Sequence, residues 1–121
     1  MATVRQSRGA YAEDIAVRFV EQLGWQVVGR NVKVGRHDEI DIVAVDPGPP
    51  VELVCVEVRS ASSSAFGAPE ERVDARKVGH LYRAMRELRV EVGLARRVDL
   101  IVIDRRTGAT DVRHLRRVHS S

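Results

Sequence analysis

The sequence predicts an α/β protein: a single-domain mixed β-sheet flanked by two helices, in the order αβββαββ. Three observations carry that prediction. Two amphipathic runs at helical spacing stand well apart, one near the start and one in the middle of the chain. Between and after them lie five runs of strand length, rich in Val and Ile and bounded by Gly, Pro or polar turns. No repeat or linker divides the 121 residues, and that length supports one core burying roughly two-thirds of the chain surface. Residues 1–121 are read as one domain, with its core at about 8–115.

The first helix is expected to begin after Ser7, a good N-cap, and to reach about Leu23 before Gly24-Trp25. Ala12, Ile15, Ala16, Phe19, Val20 and Leu23 form its apolar stripe, and Glu13 lands at the margin of that stripe. By position alone Glu13 suits two readings, an acid favoured by the helix dipole or an acid turned toward the sheet. Residues 25–34 form a first strand. "DEIDIVAVD" (Asp38 to Asp46) and "VELVCVEVRS" (Val51 to Ser60) form a hairpin-like pair joined by "PGPP". After a small, polar stretch, a second helix is expected from about Pro69 to Val92, with Val78, Leu81, Tyr82, Met85 and Leu88 on its apolar face. Arg72, Arg76, Arg83 and Arg86 share one flank of it, beside Gly79, where a phosphate backbone could approach closely; the same flank suits a solvated face. Strands at Arg96–Asp104 and about Thr110–Leu115 complete the sheet.

Composition excludes several classes. No run approaches the ~18 apolar residues of a membrane span, and the charged start does not resemble a signal peptide, so a cytoplasmic protein is expected. The single Cys55 rules out an internal disulfide and a cysteine-cluster zinc site. Four histidines without zinc or nuclease spacing are expected at the surface. Charge is unevenly spread: residues 1–71 hold 7 Lys and Arg against 11 Asp and Glu, whereas residues 72–121 hold 13 against 6. An acidic region beside a basic surface suits an enzyme that acts on a polyanion.

Asp41 and Glu57 stand inside apolar strands, where an uncompensated carboxylate costs several kcal/mol. With Glu13 they form an all-oxygen set suited to Mg²⁺ or Mn²⁺, provided the helix crosses the sheet near those strands. Arg59 shares a strand face with Glu57 and places a cation where charge on a phosphate would need one.

The residues now resemble a family. Asp41 followed by "VEVR" ending at Arg59 is similar to the PD-(D/E)XK nuclease core, in a restriction-endonuclease-like order. From Arg8 to Leu115 the chain resembles the YraN family of small bacterial proteins, described as predicted endonucleases similar to archaeal Holliday-junction resolvases. The matching blocks include Gly9 and Glu13, "GW" and "RN" at 24–25 and 30–31, "EIDIVA" from Glu39, "VEV" from Val56, "FGAP" from Phe66, Lys77, and "RVD" ending at Asp99.

That resemblance implies a metal-dependent endonuclease hydrolysing phosphodiester bonds in DNA, branched or otherwise structured. Glu13, Asp41 and Glu57 would be metal ligands, with the Val58 carbonyl a further one. Asp41, Glu57 and Arg59 would be catalytic; the flank read from helical spacing, Arg72, Arg76, Arg83 and Arg86, together with Lys77, is expected to bind nucleic acid. Arg59 stands where the family usually has Lys; it keeps the charge but does not exchange a proton at neutral pH. Two alternatives stay open: a degenerate nuclease fold that binds nucleic acid without cutting, and a non-enzymatic interaction module. A homodimer follows if two strands are cut symmetrically.

Overall fold

A computed structural model describes residues 4–36, 38–61, 75–88, 94–106 and 108–118. The elements run α1 (Val4–Gln22), β1 (Gln26–Val34), β2 (Asp38–Asp46), β3 (Glu52–Ala61), α2 (Ala75–Glu87), β4 (Ala95–Asp104) and β5 (Asp111–Leu115). One five-stranded sheet has the order β1-β2-β3-β4-β5; β3 and β4 are parallel and every other pair is antiparallel. Parallel neighbours need a crossover, and the segment containing α2 provides it.

The helices cover opposite faces. Ala12, Ala16 and Val20 of α1 pack on Ile42, Ala44, Val54, Val56, Ile101 and Ile103. On the other face Leu81, Ala84 and Met85 of α2 pack on Val43, Leu53, Cys55 and Val98. Strand alternation explains the division: even-numbered residues of β3 look toward α1 and odd-numbered ones toward α2. Cys55 is 1% exposed, and burial pushes its thiol up to about 12.

α1 begins earlier than expected. Helix is already formed at Val4, so Ser7 lies inside it and is not its N-cap. The helix ends with Gly24 at φ +91, while the Gly24 N–H donates to the Glu21 carbonyl and the Trp25 N–H to the Val20 carbonyl. This paired closure uses a left-handed glycine to satisfy two terminal carbonyls, and it turns Trp25 into the core beside Val20. Leu23, expected in the apolar stripe, falls in that turn and is exposed.

α2 is described as Ala75–Glu87; residues 69–74 and 89–92 of the expected helix lie outside the described residues. Its C-terminus meets Arg96, whose guanidinium donates to the carbonyls of Met85 and Leu88. A cation there also complements the helix dipole.

Candidate metal and phosphodiester site

β2 and β3 pair from Asp46 and Glu52 as far as Ile42 and Val56. There a side chain replaces the ladder: Asp41 Oδ2 accepts the Val58 N–H at 2.8 Å. Ladder bonds lie in the plane of the sheet, so the Asp41 carboxylate fills the gap between the two strands. Asp41 is also where β2 changes face, since Ile40 packs on the α2 side and Ile42 on the α1 side. By strand geometry the Val58 carbonyl points the same way as its N–H and opens onto the same gap.

A cleft of about 250 Å³ lies on the α1 side of this gap, lined by Ala12, Glu13, Asn31, Glu39, Asp41, Val58 and Ser60. α1 supplies Glu13, and β1 supplies Asn31 just beyond a register shift between Val27 and Gly29. Asn31 adopts a left-handed backbone, φ 50, which asparagine tolerates better than most residues. With its amide nitrogen facing the carboxylates, it donates to Glu13 Oε1 at 2.7 Å and to Glu39 Oε1 at 3.1 Å. Burial raises the Glu13 carboxyl above its ordinary value, and Asp41 and Glu39 add to the rise; Arg30 and the Asn31 amide pull against it. Acids that repel one another in a partly buried cleft are relieved by a cation.

Glu57 and Arg59 point to the other face of β3, toward α2. Glu57 is 6% exposed, and the Arg59 guanidinium lies 3.3 Å from its Oε1. Arg59 Nε is buried with no hydrogen-bond partner among the described residues. The expected set thus divides: Glu13, Asp41 and Val58 share the cleft, whereas Glu57 is not among its lining residues. Among the described residues no three His, Cys, Asp or Glu side chains are gathered to hold a metal ion. The donor chemistry of the cleft nevertheless fits a hard divalent cation, because its charged groups are carboxylates with a backbone carbonyl beside them.

Of the α2 residues, Arg83 and Arg86 are exposed; Arg72 lies outside the described residues, and only the backbone of Arg76 and Lys77 is described. A Cβ added at Gly79 would meet nothing, so internal packing does not require glycine there.

The opposite end of the sheet holds a second charged cluster. Arg97, 3% exposed, donates to Asp99 and Glu52 at 2.9 Å and to Asp46 at 3.0 Å. Asp99, fully buried, also accepts from the Arg117 N–H at 2.9 Å and lies 2.8 Å from His114 Nε2. His114 is therefore not the surface residue expected; its ring packs edge-on against Phe19 and Trp25. Burial opposes ionisation of Asp99, yet His114, Arg97 and the Arg117 N–H outweigh it and hold the carboxyl below its ordinary value. A cleft of about 370 Å³ borders this cluster, but its acids Asp46 and Glu52 already pair with arginines. It is best understood as an ionic brace.

Sequence reasoning missed Glu39 and Asn31 at the cleft and the brace as a whole. Glu39 stands two residues before Asp41 in one strand, a spacing that pointed to it. Asn31 depends on a bulge that no residue pattern in β1 announces.

No helix among the described residues is long and apolar enough to cross a membrane. The model of the uncharacterised protein family UPF0102 matches residues 12–103. A UPF0102 protein of Beutenbergia cavernae is 43% identical over 114 residues, covering 91% of this chain and 93% of that one. One from Bacteroides thetaiotaomicron is 34% identical over 112 residues, covering 89% and 88%. One from Persephonella marina is 42% identical over 71 residues, covering 59% and 58%. The matched span takes in α1 from Ala12 onward, β1 to β3, β4 as far as Ile103, and every residue lining the cleft, so the chain belongs to the UPF0102 family.

Proposed function

We propose that this protein is a metal-dependent endonuclease of the PD-(D/E)XK type acting on DNA. The observation that carries the reading is the Asp41 carboxylate, bonded to the Val58 N–H where β2 parts from β3, in one cleft with Glu13. Glu13, Asp41 and the Val58 carbonyl would hold Mg²⁺ or Mn²⁺, while Glu57, on the other face of β3, pairs with Arg59. Such an ion, when bound, supplies Lewis-acid stabilisation of charge on the scissile phosphate and activates the attacking water.

The chain's own groups do the rest. The Val58 N–H fixes the Asp41 carboxylate, and Asn31 fixes that of Glu13. Arg59, steered by Glu57, offers a fixed positive charge to the phosphate; it stabilises without moving a proton. Arg83 and Arg86, exposed on α2, bind flanking phosphates together with Arg72, Arg76 and Lys77. A strand lying across the sheet end at Asp41 and Arg59 would meet both faces.

Arg59 favours a second reading, a member of the same fold that binds nucleic acid without cutting it. Metal-dependent cleavage of branched and linear DNA by the wild type beside Asp41→Asn separates the two. Cleavage that needs Mg²⁺ and vanishes in the variant supports the nuclease; DNA binding without any cleavage supports the second reading.

A further inference from the structure

Tyr11 and Arg105 flank the candidate cleft from two directions. Tyr11 precedes Ala12, which lines it, while the Arg105 N–H donates at 2.7 Å to the carbonyl of Ala61, which follows the lining residue Ser60. Ile101 and Ile103 of β4 face α1, and alternation puts Arg105 on that same side. The Arg105 guanidinium lies over the Tyr11 ring, 5.0 Å from its centroid. Both residues are open to solvent, Tyr11 at 47%.

The neighbouring arginines are committed differently. Arg106 and Arg113 reach Asp104 at 2.7 and 2.9 Å, and Arg30 reaches Asp14 at 2.7 Å. Among the described residues no carboxylate pairs with Arg105, whose charge is held by an aromatic ring that does not neutralise it. An acidic cleft repels a phosphate backbone, so a polyanion lying along it needs a cation at the rim. Arg105 is one, and it is already oriented.

We propose that Tyr11 and Arg105 form the wall of the cleft that holds an unpaired nucleic-acid strand, with Arg105 on a backbone phosphate and the Tyr11 ring against a base. The inference rests on the phosphodiester reading of the cleft and names the substrate class: a segment whose bases are exposed. Duplex DNA hides the faces of its bases within the stack, whereas a single strand, a flap or a gap presents them to a ring such as Tyr11.

The test is fluorescence anisotropy in EDTA with a short labelled oligothymidylate and with a duplex of equal length. Wild type is compared with Arg105→Ala, Tyr11→Ala and Tyr11→Phe, each first shown by circular dichroism to be folded. Tyr11→Ala should weaken oligothymidylate binding about tenfold while Tyr11→Phe keeps it, the scale of one lost base–aromatic stack. Arg105→Ala should weaken it and lower the salt slope by about one contact. Duplex binding should respond to Arg105 and not to Tyr11. Equal binding of the oligothymidylate by wild type and Tyr11→Ala overturns the wall while leaving the cleft reading intact. A wild type that binds neither probe overturns both.

Discussion

The carboxylate of Asp41 accepts the backbone N–H of Val58 at 2.8 Å, so the residue proposed as a metal ligand also closes the sheet where its ladder ends. The two roles separate by substitution. Asp41→Asn keeps an oxygen acceptor for the amide and should leave stability within about 0.5 kcal/mol, as a net-neutral hydrogen-bond exchange does. Asp41→Ala leaves the Val58 N–H without that acceptor and should cost about 1–3 kcal/mol. Both should abolish Mn²⁺ binding measured by titration calorimetry. Retained binding in Asp41→Asn would remove Asp41 from the ligand set.

Arg59 carries the second prediction. If cleavage occurs, Arg59→Ala should lose about 10²-fold or more, the scale seen when one oxyanion donor is removed. Arg59→Lys should keep or raise the rate, because it keeps the charge and eliminates the buried Nε that has no partner among the described residues. Single-turnover assays in Mg²⁺ decide it. A Lys variant as inactive as the Ala variant contradicts a purely electrostatic role.

The third concerns Arg97, which pairs with three buried or largely buried acids at once. Arg97→Met should destabilise the fold by about 3–5 kcal/mol, since removing one partner of a buried ionic cluster strands the others. That is a large share of the 5–15 kcal/mol typical of a domain. Urea denaturation measures it, and a loss below about 1 kcal/mol would mean that the acids find water or other donors.

The fourth is the acid limb of stability. Asp46 and Asp99 lie below their ordinary 3.8, and Glu52 lies below 4.5, chiefly through its bond to Arg117 and despite burial. Carboxyls depressed in the folded state take up protons first in the unfolded chain, so their contribution is present above those ordinary values and is lost as pH falls through the folded ones. Arg117→Ala should therefore lower stability at neutral pH, and its deficit relative to wild type should shrink as pH drops below about 4. Denaturation at a series of pH values provides the check; a deficit that stays constant with pH would place the effect in packing.

Much of the architecture was legible. β2 falls on residues 38–46 as expected, because a Val- and Ile-rich run between a Gly-Arg turn and "PGPP" has few other forms. The division of the helices between the two faces followed from their single apolar stripes. What stayed hidden depends on contacts distant in sequence. Arg97 and Asp99 fall within the strand expected at Arg96–Asp104, and their burial depends on Asp46, Glu52, His114 and Arg117, brought from β2, β3, β5 and the turn after β5. At the cleft, Glu13 and Asp41 were legible as misplaced acids. The turning of Glu57 away from Val58 follows from strand alternation once the α1 side of the sheet is known.

Cys55 lies in β3 two residues before Glu57, almost wholly enclosed and with its thiol pushed up to about 12. Reaction with a thiol reagent needs both access and thiolate, so the folded chain should stay unmodified at neutral pH while any opening of β3 exposes an ordinary, reactive cysteine. The rate of labelling then reports how often the strand bearing Glu57, Val58 and Arg59 separates from its neighbours. With one cysteine in the chain, the signal comes from that strand alone.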